Sequence, residues 1–255
     1  MTVYPNVKLN LGLRVLGKRP DGYHELESLF IPWDGFRDVL SVEPAAEFGI
    51  EIGGPCYRGW DPSEDLTARA WRLMRDEFGV APVRIRLTKN SPVGAGLGGG
   101  SADGAFMVRA LNDLFGLSLS DDALAALAAR LGSDCPFFIY NRPMLGTGRG
   151  DILEDFDLHL AEYEIRVEVP QGVRVSTSEA YSRVTPRDRL ARPSLREALR
   201  YPVEMWPEVL FNDFEASVFP LYPEVEALKK RFYDEGAVYA SMSGSGSAVF
   251  GLFRK

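Results

Sequence analysis

The stretch whose residue types and spacing most directly suggest chemistry is Pro92, Val93, Gly94, Ala95, Gly96, Leu97, Gly98, Gly99, Gly100, Ser101, Ala102. Five of the chain's 25 glycines lie between Gly94 and Gly100. Without Cβ atoms such a loop can curl until successive backbone N–H groups converge on one point. A helix expected from Ser101 adds its own unpaired N–H groups and the positive end of its dipole. Glycine nest and helix N-terminus together make a phosphate cradle. The competing reading is a plain glycine-rich turn at a helix start. Gly94, Gly96 and Gly99 formally satisfy the dinucleotide pattern GxGxxG, but that fold needs an acid about 20 residues on, after a second parallel strand. Here the acids at that distance, Asp121 and Asp122, open a helix. A Walker loop is excluded because Gly100 is followed by Ser101, not by lysine. HRD, DFG and GxSxG are absent too.

Several elements must position this loop. Residues 1–16 alternate as a strand, with Val7, Leu9, Leu11, Leu13 and Val15 on one face and Lys8, Asn10 and Arg14 on the other. Arg19-Pro-Asp-Gly22 is a turn, since proline presets φ and glycine accepts φ > 0. Strands are expected at 25–33, 38–44 and 83–89, and helices at 66–78, 101–115 and 120–131. Ser120 is the expected N-cap of the last helix and Gly132 its stop. Residues 144–150 resemble a connection between domains. Short strands follow at 164–169 and 172–176, residues 182–210 show only weak periodicity, and a helix covers 222–233. A last apolar strand, 248–253, follows Ser243-Gly-Ser-Gly-Ser247. Strands and helices come in groups without regular alternation, which favours α+β.

Composition bounds the answer. At 255 residues the chain makes one large domain or two modest ones. Its 29 basic and 36 acidic side chains leave a net charge of −7, which demotes nucleic acid as a partner. No apolar run approaches the roughly 18 residues of a membrane span, and the first residues lack signal-peptide features. Cys56 and Cys135 are far apart, without CxxC, so neither a disulfide framework nor a zinc site is expected. The expectation is a cytoplasmic protein with reduced thiols and no membrane partner.

The loop PVGAGLGGGSA resembles the ATP loop of the GHMP small-molecule kinases. Asn6-Val-Lys-Leu-Asn-Leu11 and Ser241-Met-Ser-Gly-Ser-Gly-Ser247 resemble that family's other two blocks. Arg19-Pro-Asp-Gly-Tyr-His-Glu25 and Gly132-Ser-Asp-Cys-Pro-Phe-Phe138 resemble its branch that acts on a cytidine diphosphate-linked sugar alcohol. The resemblance implies a two-domain α+β fold, ribosomal protein S5 domain 2-like at the N-terminal side and ferredoxin-like at the C-terminal side. It divides as 1–146, binding ATP, and 147–255, on the substrate side. It implies an ATP-dependent kinase, with Mg2+, phosphorylating an alcohol in non-mevalonate isoprenoid precursor synthesis. No obligate protein partner is expected. Asp134 is the implied general base and Lys8 the implied catalytic lysine. Asn10 is the implied holder of substrate hydroxyls; Tyr23, His24 and, more loosely, Tyr181 form the implied cytosine site. The Mg2+ ligands stay unassigned. The alternatives are a mevalonate, homoserine or galactose-type kinase, or a non-catalytic nucleotide-binding module.

There are departures from the family pattern. Asn6-Val7 replaces Pro-Ala, Ala102 replaces a serine, and Asp65-Leu66 replaces the Asn-Leu of the adenine pocket. The chain also ends at Lys255, where the family commonly adds a helix and a strand; the expectation is some loss of stability.

Overall fold

The computed structural model describes residues 1–184 and 193–255; the weakly periodic 182–210 stretch thus lies partly outside the described residues. The strands are β1 Thr2–Val3, β2 Asn6–Lys18, β3 His24–Arg37, β4 Val39–Pro44, β5 Gly49–Gly53 and β6 Val83–Thr88. They continue with β7 Met144–Gly148, β8 Ile152–Asp155, β9 Tyr163–Glu168, β10 Tyr239–Met242 and β11 Val249–Arg254. The helices are α1 Leu66–Phe78, α2 Gly99–Leu114, α3 Asp121–Ala129, α4 Cys135–Tyr140 and α5 Thr177–Arg183. Then come α6 Leu195–Ala198, α7 Trp206–Val209, α8 Glu215–Val218 and α9 Pro223–Asp234.

The chain forms two compact units. The first holds residues 1–8, 32–93 and 98–142. Its sheet has the order β1-β4-β6-β5, antiparallel except for the β5–β6 pair. In β6, Val83, Ile85 and Leu87 are buried while Arg84, Arg86 and Thr88 face out, the alternation read from sequence. Helix α1 begins where Asp65 accepts the Thr67 amide and ends at Gly79, whose φ of 66° suits glycine.

The second unit holds residues 9–31, 94–97 and 143–255. One sheet runs β10-β11-β9, antiparallel throughout, and another β2-β3-β7-β8. Its core gathers Leu13, Val15, Phe214, Val225, Phe232, Met242 and Val249. The α+β class holds. Among the described residues, no helix is long and apolar enough to cross a membrane.

Some local expectations are corrected. Met144–Gly148, read as a connection, is a strand paired with β3 from Leu26↔Gly148 to Phe30↔Met144; its glycines imitate linker composition. Residues 172–176 are not a strand. They turn and lead into α5, whose N-cap Ser176 accepts the Glu179 amide, a capping signal already present in Ser176-Thr-Ser-Glu179. Helix α2 starts two residues earlier than read, because Gly98 caps it in the left-handed region at φ 71°. Helix α4 and strands β5, β8 and β10 were not legible at all; each has six residues or fewer.

Candidate active site

In the first unit, β2 opens with Asn6-Val-Lys8 and α4 opens after Asp134. Lys8 Nζ lies 3.5 Å from Asp134 Oδ2, with the lysine side chain 6% exposed and the aspartate 33%. A strand lysine by itself reads as solvated surface; here the whole run Asn6–Leu13 is buried, so both faces of the strand are covered. Asp134 occupies the N-cap position of α4 but makes no side-chain capping bond. Its carboxylate is turned toward Lys8. That disposes of the simplest alternative, an aspartate present only to cap a short helix. A carboxylate that water reaches, beside a buried ammonium, can accept a proton while the cation offsets charge on a nearby oxygen.

The start of α2 belongs to the same unit. Gly98 precedes a 16-residue helix whose first N–H groups carry no side-chain cap. A Cβ on Gly98 would sit 3.1 Å from the Phe138 ring and 3.2 Å from Lys8 carbons, so the backbone approaches both closely. A Cβ on Gly99 would lie 2.5 Å from Ser91 Oγ, closer still, while Gly100 is exposed. An uncapped helix start with an open glycine approach suits an anion. Ala102 is fully buried in the helix's inner face, where the family's serine would stand. Ser101, half-buried, hydrogen-bonds the Cys135 thiol, which burial pushes up to about 12. Cys135 is therefore inert packing, not a nucleophile.

Beneath this helix start lies a cluster that sequence reading missed. Lys89, Asp38, Asp103 and Ser91 are all buried. Lys89 Nζ bonds both Asp38 and Asp103. Asp38 Oδ1 accepts the Asn90 and Ser91 amides at 2.6 and 2.7 Å, and its Oδ2 accepts the Ser91 hydroxyl at 2.6 Å. Burial pushes the Asp103 carboxyl well above the ordinary range, against the pull of Lys89. Burial would lower Lys89, but Asp103 and Asp38 outweigh it and hold the ammonium raised. Asp103 Oδ1 has no hydrogen-bond partner among the described residues. In sequence these are ordinary charges, and Asp38 lies 51 positions from Lys89. Nothing local announces them. Asp65, substituted for the family's asparagine, is committed to α1: it accepts from the Thr67 amide, the Thr67 hydroxyl and Trp60 Nε1.

In the second unit, Asn10 is 2% exposed and donates its side-chain amide to Ser28 Oγ at 2.8 Å. The expected turn forms, with the Gly22 amide on Arg19 O at 3.1 Å and Gly22 at φ 86°. It presents Tyr23 with 57% exposure. The Arg149 guanidinium lies over the Tyr23 ring at 4.9 Å, itself held by Asp151. His24 stacks on Tyr181 at 4.9 Å between centroids and 30° between planes. Tyr181 in turn meets Phe214 edge-on. Burial, then the charge of Lys18, lowers the His24 pKa, so its imidazole is neutral at pH 7. Sequence reading thus paired His24 and Tyr181 in one site, and the structure brings their rings together; Arg149 was not foreseen. The glycine turn residues of this unit, Gly94 and Gly96, have φ of 73° and 77°.

The first unit thus holds an uncapped glycine helix start and a Lys–Asp pair, and the second an exposed aromatic turn. The model of the GHMP kinases N terminal domain matches residues 65–142, and that of the GHMP kinases C terminal matches residues 191–255. The chain belongs to the GHMP kinase family. It is 44% identical, over all of its length and 94% of the relative's, to the 4-diphosphocytidyl-2-C-methyl-D-erythritol kinase of Azobacteroides pseudotrichonymphae genomovar. CFP2. It is 46% identical to the enzyme of the same name from Bacteroides fragilis strain ATCC 25285, covering 99% of this chain and 92% of the relative. A crystal structure of 4-(cytidine 5'-diphospho)-2C-methyl-D-erythritol kinase superposes with a TM-score of 0.79 at 36% identity, covering 99% of this chain and 90% of that one. As a member of a kinase family, the chain uses ATP as its phosphoryl donor.

Proposed function

We propose that the protein transfers the γ-phosphoryl group of ATP to the 2-hydroxyl of 4-diphosphocytidyl-2-C-methyl-D-erythritol, in cytoplasmic isoprenoid precursor synthesis. The observation that carries the chemistry is the Lys8–Asp134 pair at 3.5 Å, with the aspartate turned away from its capping role. Likeness over the full chain to relatives of that name supports the substrate.

In this reading the α2 N-terminus receives phosphate oxygens, whose charge its N–H groups and dipole offset. The whole stretch 92–102 is assigned to ATP. Asp134 accepts the hydroxyl proton as the oxygen attacks phosphorus, and the Lys8 ammonium stabilises charge on that oxygen and on the transferring group. Both groups act from one unit, which spares the transition state any reorganisation of the pair. Asn10 orients the hydroxyls. The exposed Tyr23 ring stacks on cytosine, His24 contacts the base edge, and Tyr181 holds the imidazole plane. Stacking suits every base, so discrimination falls to the neutral histidine. We keep the division into an ATP half, 1–146, and a substrate half, 147–255, as part of the proposal.

Mg2+ is assigned as the nucleotide's companion. It keeps most of its waters and takes only one or two protein oxygens beside the phosphates. The Ser101 hydroxyl is a donor of that kind. When bound, the ion neutralises charge on the phosphate oxygens.

The test is a coupled ADP-release assay with this alcohol beside mevalonate, homoserine and galactose. ADP is expected with the cytidyl alcohol alone, its phosphate on the 2-hydroxyl. Turnover of another alcohol in preference would overturn the substrate assignment.

A further inference from the structure

The segment Phe211-Asn-Asp-Phe-Glu215 lies between the weakly periodic 182–210 stretch and the helix expected at 222–233, and the proposed chemistry does not use it. Its Asn212 is 1% exposed and engages both ends of its amide. Nδ2 donates to the Met242 and Gly244 carbonyls at 2.7 and 2.8 Å, and Oδ1 accepts the Phe214 amide at 3.0 Å. The flanking residues fix this asparagine from two sides. Asp213 Oδ2 accepts the Val15 amide at 2.9 Å, and the main chain of residues 211–213 bonds Leu13 in both directions. Glu215 Oε1 accepts the Met242 amide at 2.9 Å and the Ser241 hydroxyl at 3.2 Å, while Lys229 holds Oε2 at 2.7 Å. The stretch Ser241–Gly244 is thus gripped on its amide and carbonyl sides by one short segment.

What that stretch then touches is what gives the grip a purpose. Ser243 Oγ accepts the Asn10 backbone N–H at 3.2 Å and donates to the Gly96 carbonyl at 3.1 Å. A Cβ on Gly244 would lie 3.0 Å from Gly96 O and 3.2 Å from Asn10 Oδ1, and one on Gly96 would run into Ser243 O. Ser243–Gly244 is therefore wedged, without slack, against a glycine of the 92–102 loop and against Asn10.

We infer that Asn212 is a positioning residue for phosphoryl transfer: by holding the Met242 and Gly244 carbonyls it sets Ser243, and through Ser243 the places of Gly96 and Asn10. The inference rests on the ATP and substrate roles proposed above for those two residues. Asn212 touches neither ligand. An aspartate at 212 keeps the shape and the Phe214 contact but presents oxygen to two carbonyls, removing the hydrogen bond it gave to each.

The experiment measures ATP affinity by equilibrium binding, kcat/KM, and unfolding by denaturant for Asn212→Asp, Ser243→Ala and the double variant. Asn212→Asp is expected to weaken ATP binding and lower kcat/KM by about tenfold each. In the Ser243→Ala background the same change should alter either by less than about threefold, because the path to Gly96 is already cut. If Asn212→Asp lowers only stability, or if its effect multiplies fully with that of Ser243→Ala, the inference is wrong. Should Asn212→Asp fail to fold, Gly244→Ala approaches the wedge from the other side with Asn212 intact. It should weaken ATP binding comparably; unchanged affinity overturns the inference. ATP binding needs no acceptor, so a wild type that binds ATP but ignores the cytidyl alcohol contradicts the substrate assignment alone.

Discussion

Two lysine–aspartate constellations stand in the first unit, and they are built in opposite ways. Lys8 and Asp134 are 3.5 Å apart, and a third of the aspartate side chain is open to water. Lys89 is sealed between Asp38 and Asp103, every side chain no more than 2% exposed. Asp38 also takes two amides and a hydroxyl, tying the junction of β3 and β4 to the segment between β6 and the glycine loop. A group that must gain and lose a proton needs access and an incomplete set of partners. A group that must hold a loop in place needs neither. In the proposed reading the open pair carries the chemistry, and the sealed cluster fixes the ground on which that chemistry stands.

That contrast breaks first at the sealed cluster. Lys89→Met would leave two carboxyl groups buried without their cation, a change that typically lowers stability by about 3–5 kcal/mol. Urea unfolding should show the loss in the midpoint. A variant as stable as wild type would mean the cluster is not architectural.

The contrast sharpens at the proposed base-binding turn, where exposure again accompanies an assigned role. Tyr23 is 57% exposed and buries little, so Tyr23→Ala should leave the unfolding midpoint almost unmoved. It should raise KM for the cytidyl alcohol by about 5- to 150-fold, equivalent to about 1–3 kcal/mol of base stacking. KM for ATP should stay put. Movement of the ATP constant alone would transfer Tyr23 to the donor side.

The smallest effect is that of pH on His24. Folding lowers its pKa through burial and Lys18, so the native state favours the neutral ring. Its contribution to stability is present above the unfolded value near 6.5 and is lost as pH falls through the lower folded value. Recognition by the neutral imidazole follows the same course. KM for the cytidyl alcohol should therefore rise below pH 6.5, and His24→Asn should flatten that rise. An identical pH profile in the variant would remove His24 from base recognition.

How much of this was legible in the sequence follows from how local each signal is. The limits of α1, the Arg19–Gly22 turn and the glycine loop were readable because caps, proline and glycine act within a few residues. Lys8 and Asp134, 126 positions apart, came together only through resemblance to a family, since no periodicity links a strand lysine to a helix-start aspartate. The Lys89 cluster and Asn212 were invisible. Their partners lie 51 and 30 residues away, and a buried charge or amide has the same letter as a solvated one. Strand β7 was misread because three small residues, Gly146, Thr147 and Gly148, look like a linker until β3 supplies its partner.

The central claim is that the open pair carries the chemistry, and Asp134→Asn tests it most directly. The substitution keeps the size of the side chain and removes its charge, and with it both its capacity to take a proton and its pairing with Lys8. The account predicts a fall in kcat of roughly 10²–10⁴, the range of a general base, with ATP affinity unchanged. A kcat within about threefold of wild type would contradict it.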